Sequence, residues 1–159
     1  MDNIQSLPYR NNVCCVLFKK DKYLLVQLVG WNHNWWKFPQ GGIEEGETVS
    51  DAVKRELFEE LNIINIRFIK IFDYNNKYDW TESIILKHNS KWRGQSQTFC
   101  LVEFIGNESE IKLDKKEIKK SRWVTKKKLL NLIDNISKFN GNYKTIIQRV
   151  VRQFINFQK

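Results

Sequence analysis

The sequence has few of the residues and patterns that characterise disulfide-bonded, zinc-binding or membrane-spanning proteins, or proteins with several domains joined by linkers. Its three cysteines are odd in number, and the neighbours Cys14 and Cys15 would face opposite ways on a strand, which excludes a disulfide framework. The two histidines, His33 and His88, have no zinc-ligand spacing. Two prolines and seven glycines form no linker, and charged residues interrupt every apolar run before about 18 residues, so no membrane-spanning helix is expected.

Acidic residues are also few, since 18 Asp+Glu stand against 27 Lys+Arg and give a formal charge of +9. A positive surface attracts polyanions such as phosphates and nucleic acids. With 42% hydrophobic residues the chain can form a core, and its length favours a single domain over residues 1–159. The segment Met1–Asn3 lacks the cationic and apolar parts of an export signal, so we expect a cytoplasmic protein without membrane attachment.

Hydrophobic periodicity predicts a chain that mixes strands and helices. Apolar runs at residues 13–18 and 23–29 predict an antiparallel hairpin, and Thr48 with Asp51 can cap a helix over residues 47–62. Further strands are predicted at residues 66–74, 82–86, 98–105 and 121–124, followed by a helix after Thr125 and a closing helix from Tyr143 to Phe157. The closing helix has a narrow apolar stripe, which favours packing on the core over a membrane-surface role. The fold class is therefore α+β.

Three glutamates project from one face of the predicted 47–62 helix. Glu56, Glu59 and Glu60 stand at positions i, i+3 and i+4, so their carboxylates are close neighbours. Such like charges raise one another's pKa and oppose the helix dipole near the carboxyl end, so a cation should lie beside them. Hard oxygen ligands suit Mg²⁺ or Mn²⁺, which commonly join a few carboxylates to substrate phosphates. The alternative is a solvated acidic face neutralised by Lys54 and Arg55.

Two glycines precede this helix and extend the pattern. Gly41 and Gly42 would let the backbone approach a ligand closely, and Gly41 could supply a carbonyl ligand to the metal. Arg55 stands among the glutamates, where its guanidinium could brace the carboxylates.

The spacing of these residues resembles the signature of Nudix hydrolases, G-x(5)-E-x(7)-R-E-U-x-E-E-x-G-U, in which U is a bulky aliphatic residue. The matching residues are Gly41, Glu47, Arg55, Glu56, Leu57, Glu59, Glu60 and Ile63. Asn62 replaces the glycine of the family, and because asparagine also tolerates the left-handed conformation, we expect the same chain reversal. The resemblance implies the Nudix αβα sandwich, a mixed central sheet flanked by helices.

Other segments resemble one Nudix branch, which contains bacterial-type RNA 5′-pyrophosphohydrolases and related diadenosine tetraphosphate hydrolases. These segments are residues 9–13, 36–42 and 94–99. Glu117 stands where that branch has a further glutamate that binds metal or acts as a base, and Tyr143–Lys144 resembles its substrate-contacting pair.

The resemblance implies that water attacks a pyrophosphate linkage with the help of roughly one to three Mg²⁺ or Mn²⁺ ions. It assigns catalysis to Glu56, Glu59, Glu60 and Glu117, metal binding to these four and Gly41, and supporting roles to Glu47 and Arg55. Substrate contacts are implied for Arg10, Lys37, Gln40, Tyr78, Gln95, Gln97 and Lys144. Cationic and amide side chains can bind phosphate or base. Tyr78 lies with Tyr74 and Trp80 in a polar stretch that is predicted to be a loop, where an exposed aromatic ring can stack on a base.

Two substrates are consistent with the resemblance to this Nudix branch. The charge of +9 favours the 5′-triphosphate end of RNA, because downstream phosphates add binding, over a dinucleoside polyphosphate such as diadenosine tetraphosphate. A non-catalytic module that binds nucleotides or RNA ends is a third hypothesis, which the intact glutamates and Gly41 disfavour.

Overall fold

The computed structural model describes residues 3–157, and the side chains of residues 3–154. The strands are β1 (Tyr9–Lys19), β2 (Lys22–Leu28), β3 (Gln40–Gly42), β4 (Ile66–Asp79), β5 (Gly94–Phe104) and β6 (Ile118–Thr125). The helices are α1 (Val49–Leu61), α2 (Glu82–Lys87), α3 (Lys126–Ser137) and α4 (Tyr143–Phe157), with short 3₁₀ turns at Ile4–Ser6 and Glu108–Glu110.

The strands form one mixed sheet in the order β4-β5-β1-β2-β6, and β3 pairs with β1 beside this path. Strands β1 and β5 are parallel, whereas the pairs β1–β2, β1–β3, β2–β6 and β4–β5 are antiparallel. The mixed sheet and the β1–β2 hairpin are thus confirmed.

Helices cover both faces of the sheet. Cys14 and Val16 of β1 belong to the core that includes buried residues of α3 and α4, whereas Val13 and Cys15 belong to the core beneath α1. This alternation confirms that the two neighbouring cysteines face opposite ways, because successive side chains of a strand point to opposite faces. The αβα arrangement is confirmed with it.

Helix α1 begins and ends as its sequence indicates. Thr48 and Asp51 form a capping box at the amino end. At the carboxyl end Asn62 has a left-handed backbone with φ of 57°, and its amide donates to the Phe58 carbonyl at 2.8 Å. The chain reversal expected at Asn62 is therefore confirmed, and it fixes where the α1 glutamates stand.

Two predictions for the middle of the chain were wrong. Residues 82–86 form the helix α2 and not a strand, and of this helix only Ile85 is buried. The stretch with Tyr78 is not a loop, because β4 continues to Asp79 by pairing with β5, where Tyr78 lies opposite Gln95.

The closing helix packs on the core as predicted, with Tyr143 and Ile147 fully buried. The side chain of Phe157, which belongs to the predicted stripe, lies outside the described side chains. No helix in the described part of the chain is both long and apolar enough to cross a lipid bilayer.

Candidate active site

Strand β3 places two glycines where side chains would not fit. Pairing with β1 sets Gly41 opposite Val13 and beside α1. The Glu56 carboxylate packs directly on Gly41, so that a Cβ there would overlap it, and the Arg10 guanidinium occupies the same position relative to Gly42. The glycine pair therefore brings a carboxylate and a cation into contact with one short piece of backbone.

Arg55 braces the acidic cluster, as the sequence suggested. Its Nε and Nη2 donate to the two Glu47 oxygens at 2.8 and 3.0 Å, and its Nη2 also donates to the Gly42 carbonyl at 2.7 Å. Its Nη1 donates to Glu56 at 2.8 Å and to Glu59 at 3.2 Å. The hydrogen bonds that Glu47 accepts from Arg55 favour the ionised carboxylate, and they therefore lower the pKa of Glu47.

Glu60 is the least solvated acidic group of the cluster. Its side chain is 4% exposed, and its Oε2 has no hydrogen-bond partner among the described residues. Burial raises the pKa of Glu60 to about 7, although the positive charge of Lys37 opposes the shift. Lys37 is itself buried, and burial lowers its pKa while the charge of Glu60 raises it again. The two buried groups thus lie within electrostatic reach of each other and of Glu56.

Glu117 joins this group from a different part of the chain. It lies just before β6, where its carbonyl accepts a hydrogen bond from the Val29 amide at 2.8 Å. Its charge raises the pKa of both Glu60 and Lys37, so it lies within electrostatic reach of that pair. Glu56 also has a raised pKa, caused mainly by burial and opposed by its hydrogen bond from Arg55.

The donor set fits a hard divalent cation. Glu60 offers a buried carboxylate oxygen without a partner. Glu56 and Glu59 share the Arg55 guanidinium, and the Glu56 carboxylate lies against the Gly41 backbone, so these oxygen donors belong to one cluster. The carboxylates are not gathered into a ready-made cage: in the described part of the chain no three acidic, histidine or cysteine side chains stand close enough to hold an ion. A metal held by three of these side chains would therefore require the carboxylates to move closer together.

Gln97 differs from the expected substrate contact. It is fully buried, and its Nε2 donates to Asn12 at 3.1 Å and to the Gln40 side chain at 3.2 Å, while its Oε1 accepts from Asn76 at 2.9 Å. With its amide bonded on both sides and no exposed surface, Gln97 orients Gln40, which is partly exposed.

The remaining predicted contacts lie in two places. Tyr78 donates its hydroxyl hydrogen to Gln95 Oε1 at 2.7 Å, which joins β4 to β5 on the face that carries Gln97. Lys144 lies on α4, where its Nζ forms an ion pair with Asp134 at 2.7 Å. The structure therefore groups Tyr78 with Gln95 but does not bring Lys144 to the glutamates.

Two further residues support the site, and sequence reasoning missed the first of them. Asn76 donates to Gln97 and to the Asn140 carbonyl at 2.8 Å, and it accepts from the Asn142 amide at 2.9 Å, so it joins β4 to the start of α4. Tyr143 accepts a hydrogen bond from the Phe38 amide at 3.0 Å and so fixes the backbone beside Lys37. The sequence singled out Tyr143 in the apolar stripe and, with Lys144, by resemblance to a substrate-contacting pair, but it did not indicate this hydrogen bond. Asn76 gave no signal in its polar stretch.

Comparison with known proteins agrees with this geometry. The NUDIX domain family matches residues 8–149. An RNA pyrophosphohydrolase of Pelagibacter ubique is 31% identical over 98% of this chain and 99% of its own length, and one of Bartonella henselae is 32% identical over 89% and 96%. Similar solved structures include the MutT protein from Methanosarcina mazei, at 18% identity with a TM-score of 0.64 and coverage of 93% and 96% of the two chains. An Ap4A hydrolase of C. elegans has 16% identity, a TM-score of 0.62 and coverage of 91% and 98%, and both structures share the fold. The chain therefore belongs to the NUDIX domain family.

Proposed function

We propose that this chain hydrolyses a pyrophosphate linkage at the 5′-triphosphate end of RNA with the help of Mg²⁺ or Mn²⁺. The observation that carries the proposal is the Glu60 carboxylate, which is buried beside Lys37 and Glu56 with one oxygen left without a partner. A strongly shifted acid inside such a cluster is typical of a functional site. The nearly full-length relatives named RNA pyrophosphohydrolase support the choice of substrate.

Gly41, Glu56, Glu59, Glu60 and Glu117 would hold the metal, and Glu47 and Arg55 would keep the helix and glycine strand together. When bound, a divalent ion neutralises phosphate charge and lowers the pKa of water. Glu117 would complete the metal site or accept the proton of the attacking water. The water oxygen bonds to phosphorus as the phosphorus–oxygen bond to the leaving phosphate breaks.

Cationic and amide groups would hold the substrate phosphates. Arg10 packs on Gly42 next to the Glu56–Gly41 contact, and Lys37 keeps a charge partner in Glu60, so both cations lie beside the carboxylates. Gln40, oriented by Gln97, would add an amide donor.

Tyr78 and Gln95 would contact the first nucleotide, since they lie on β4 and β5 beside the same network. Lys144 would contribute only after leaving Asp134. We also propose a single domain, and a cytoplasmic location where RNA 5′ ends are present.

The test offers triphosphorylated RNA, diphosphorylated RNA and diadenosine tetraphosphate side by side, each with Mg²⁺ and with Mn²⁺. We expect release of phosphate or pyrophosphate with the highest kcat/KM on RNA. A higher kcat/KM on the dinucleotide would identify a dinucleoside polyphosphate hydrolase. Binding of RNA without release of any product would identify a binding module and reject the proposal.

A further inference from the structure

An aromatic and basic cleft opens on the side of the molecule formed by α2 and the loop that leads into β5. Its volume is about 520 Å³, and its lining includes Trp80, Ile84, His88, Lys91 and Trp92. Ile84 is 44% exposed, and both tryptophans are only partly buried. The cleft therefore presents apolar and aromatic surface to solvent, with basic residues among it.

Two cations lie against the ring of Trp92. The guanidinium carbon of Arg10 is 5.2 Å from the ring centre and Lys91 Nζ is 4.7 Å from it. Ser90 fixes the backbone here, because its hydroxyl donates to the Trp92 carbonyl at 2.8 Å and accepts from the Trp92 amide at 3.0 Å. The positive charge is thus held at a defined place beside the apolar wall.

Arg10 connects this cleft to the acidic cluster. The guanidinium that lies over Trp92 also packs on Gly42, and the adjacent Gly41 contacts the Glu56 carboxylate. A substrate whose terminal phosphates reach Arg10 therefore has the cleft directly next to it.

The charges around the cleft favour a polyanion. Arg93 is neutralised by Asp79 at 2.7 Å, and the same carboxylate accepts from the Tyr9 hydroxyl at 2.6 Å. The acidic Glu82 does not line the cleft and lines instead an adjoining cavity of about 730 Å³, which shares Trp80, Asn89 and Ser90 with it. A ligand in the cleft would therefore meet the positive charge of Lys91, and Arg10 lies next to the cleft on the ring of Trp92.

We infer that this cleft binds the RNA strand downstream of the 5′ phosphates, with a base against Trp80 and Ile84 and a backbone phosphate on Lys91 and Arg10. The inference rests on the proposed function, because it extends the same substrate. Interleaved cations and aromatic rings are the pattern that holds single-stranded nucleic acid. An exposed lysine in the lining is unfavourable for a protein interface, where lysine is depleted.

The first test compares two lengths of triphosphorylated RNA, a dinucleotide and a strand of about 12 nucleotides, which exceeds many single-domain sites. Trp80→Ala should raise KM for the long strand about five- to a hundredfold, the loss expected for one stacked base, with kcat unchanged. The rise for the dinucleotide should be much smaller. Trp80→Phe, which keeps an aromatic ring, should restore most of the affinity for the long strand.

The second test uses the exposed Lys91, whose replacement does not disturb the core. The salt dependence of long-strand binding is measured as the slope of log affinity against log salt concentration. Lys91→Glu should make this slope shallower by about 0.7, which is the contribution of one phosphate contact on a single strand. Lys127→Glu on α3 makes the same charge change at an exposed site away from the cleft and is the matched control, which should keep the wild-type slope.

Equal losses on both lengths in Trp80→Ala, or an unchanged long-strand KM, would overturn the inference. So would a salt slope that is the same in Lys91→Glu and wild type. If the wild-type protein releases no phosphate from either RNA, the proposed function fails. RNA binding by the cleft is then tested separately, by the fluorescence anisotropy of a labelled strand of about 12 nucleotides. Binding unaffected by both variants rejects it, as does a dimer that Trp80→Ala dissociates.

Discussion

Glu60 is the residue whose environment most needs an explanation. A carboxylate that is 4% exposed and has an oxygen without a hydrogen-bond partner is unfavourable for folding, since burial of a charge without a full set of partners costs several kcal/mol. Lys37 offsets part of this cost, and Glu56 adds to it. A group kept in such surroundings is expected to serve activity more than stability.

Replacement of one carboxylate oxygen of Glu60 by an amide group should lower activity without lowering stability. Glu60→Gln keeps the shape but removes the charge, so kcat/KM in saturating Mg²⁺ should fall more than about a hundredfold, the scale of losing one preorganised electrostatic contact. The free energy of unfolding should stay the same or rise. Glu108→Gln, at an exposed glutamate in the second 3₁₀ turn, is the control for the same chemical change. Near-normal turnover of Glu60→Gln would reject the role of Glu60.

The pKa of Glu60 also predicts how stability depends on pH. Burial raises that pKa from 4.5 to about 7 in the folded protein, so the folded state keeps a proton that the unfolded state has lost. The contribution to stability is therefore full below the unfolded pKa and is lost as pH rises through the folded pKa, a loss of roughly 3 kcal/mol. Urea unfolding of chelator-treated protein should show this fall for wild type and a flatter profile for Glu60→Gln. Parallel profiles would contradict the shift.

Residues of the site differ in how far the sequence predicts them. The Arg55 contacts and the turn at Asn62 follow from spacing within one helix, where neighbours in sequence are neighbours in space. The Gln97–Asn12 and Tyr143–Phe38 bonds join residues 85 and 105 positions apart, so they depend on how the strands and α4 assemble. The sequence does not indicate that Gln97 is buried, because burial depends on tertiary packing, and the substrate contact expected of it stays a prediction.

Element type was predictable where the pattern is long and ambiguous where it is short. The periodicity behind α1 and α4 extends over several turns, and both helices form. At residues 82–86 the apolar run Ile84-Ile85-Leu86 suits a strand by propensity, but so short a run does not distinguish a strand from a helix. The loop assigned around Tyr78 failed because pairing of β4 with β5 depends on residues in both strands.

The end of α1 gives a prediction about an element boundary. The backbone of Asn62 has φ of 57°, a conformation that residues other than glycine and asparagine tolerate poorly. The Asn62 side chain also donates a hydrogen bond from its Nδ2 to the Glu110 carbonyl at 3.2 Å. Asn62→Ala should lower the free energy of unfolding by about 1–2 kcal/mol through left-handed strain and the lost bond. Asn62→Gly, which relieves the strain but loses the same bond, is the matched variant and should cost less. Equal costs in urea unfolding would show that conformation is not the cause.

At the scale of the whole molecule, the residue patterns predicted the α+β class and the family resemblance implied its αβα layers, but neither showed how the site is distributed among them. Alternation in β1 was enough to assign its residues to two faces. The site draws on β1, β3, α1 and the segment before β6, and no sequence pattern states that Glu117 lies near Glu60. The resemblance to one Nudix branch supplied the expectation that Glu117 belongs to the site.

Burial of all three cysteines is a property of this two-sided core. Cys14, Cys15 and Cys100 are buried, and burial raises the pKa of Cys14 and of Cys100 to about 12 and that of Cys15 as well. Since the thiolate is the reactive form, a thiol reagent should modify none of them in the native protein and all of them in urea. Measured reaction in native conditions that is faster than global unfolding would show that one face of the sheet opens locally.

Anomalous diffraction from crystals soaked in Mn²⁺ is the measurement that decides whether the acidic cluster binds metal. We expect a peak within coordinating distance of Glu60 and of at least one of Glu56 and Glu59, and a weaker peak or none in Glu60→Gln. Crystals of active protein with no peak beside these glutamates would show that the cluster is a solvated acidic face neutralised by Arg55, and that the reaction needs another explanation.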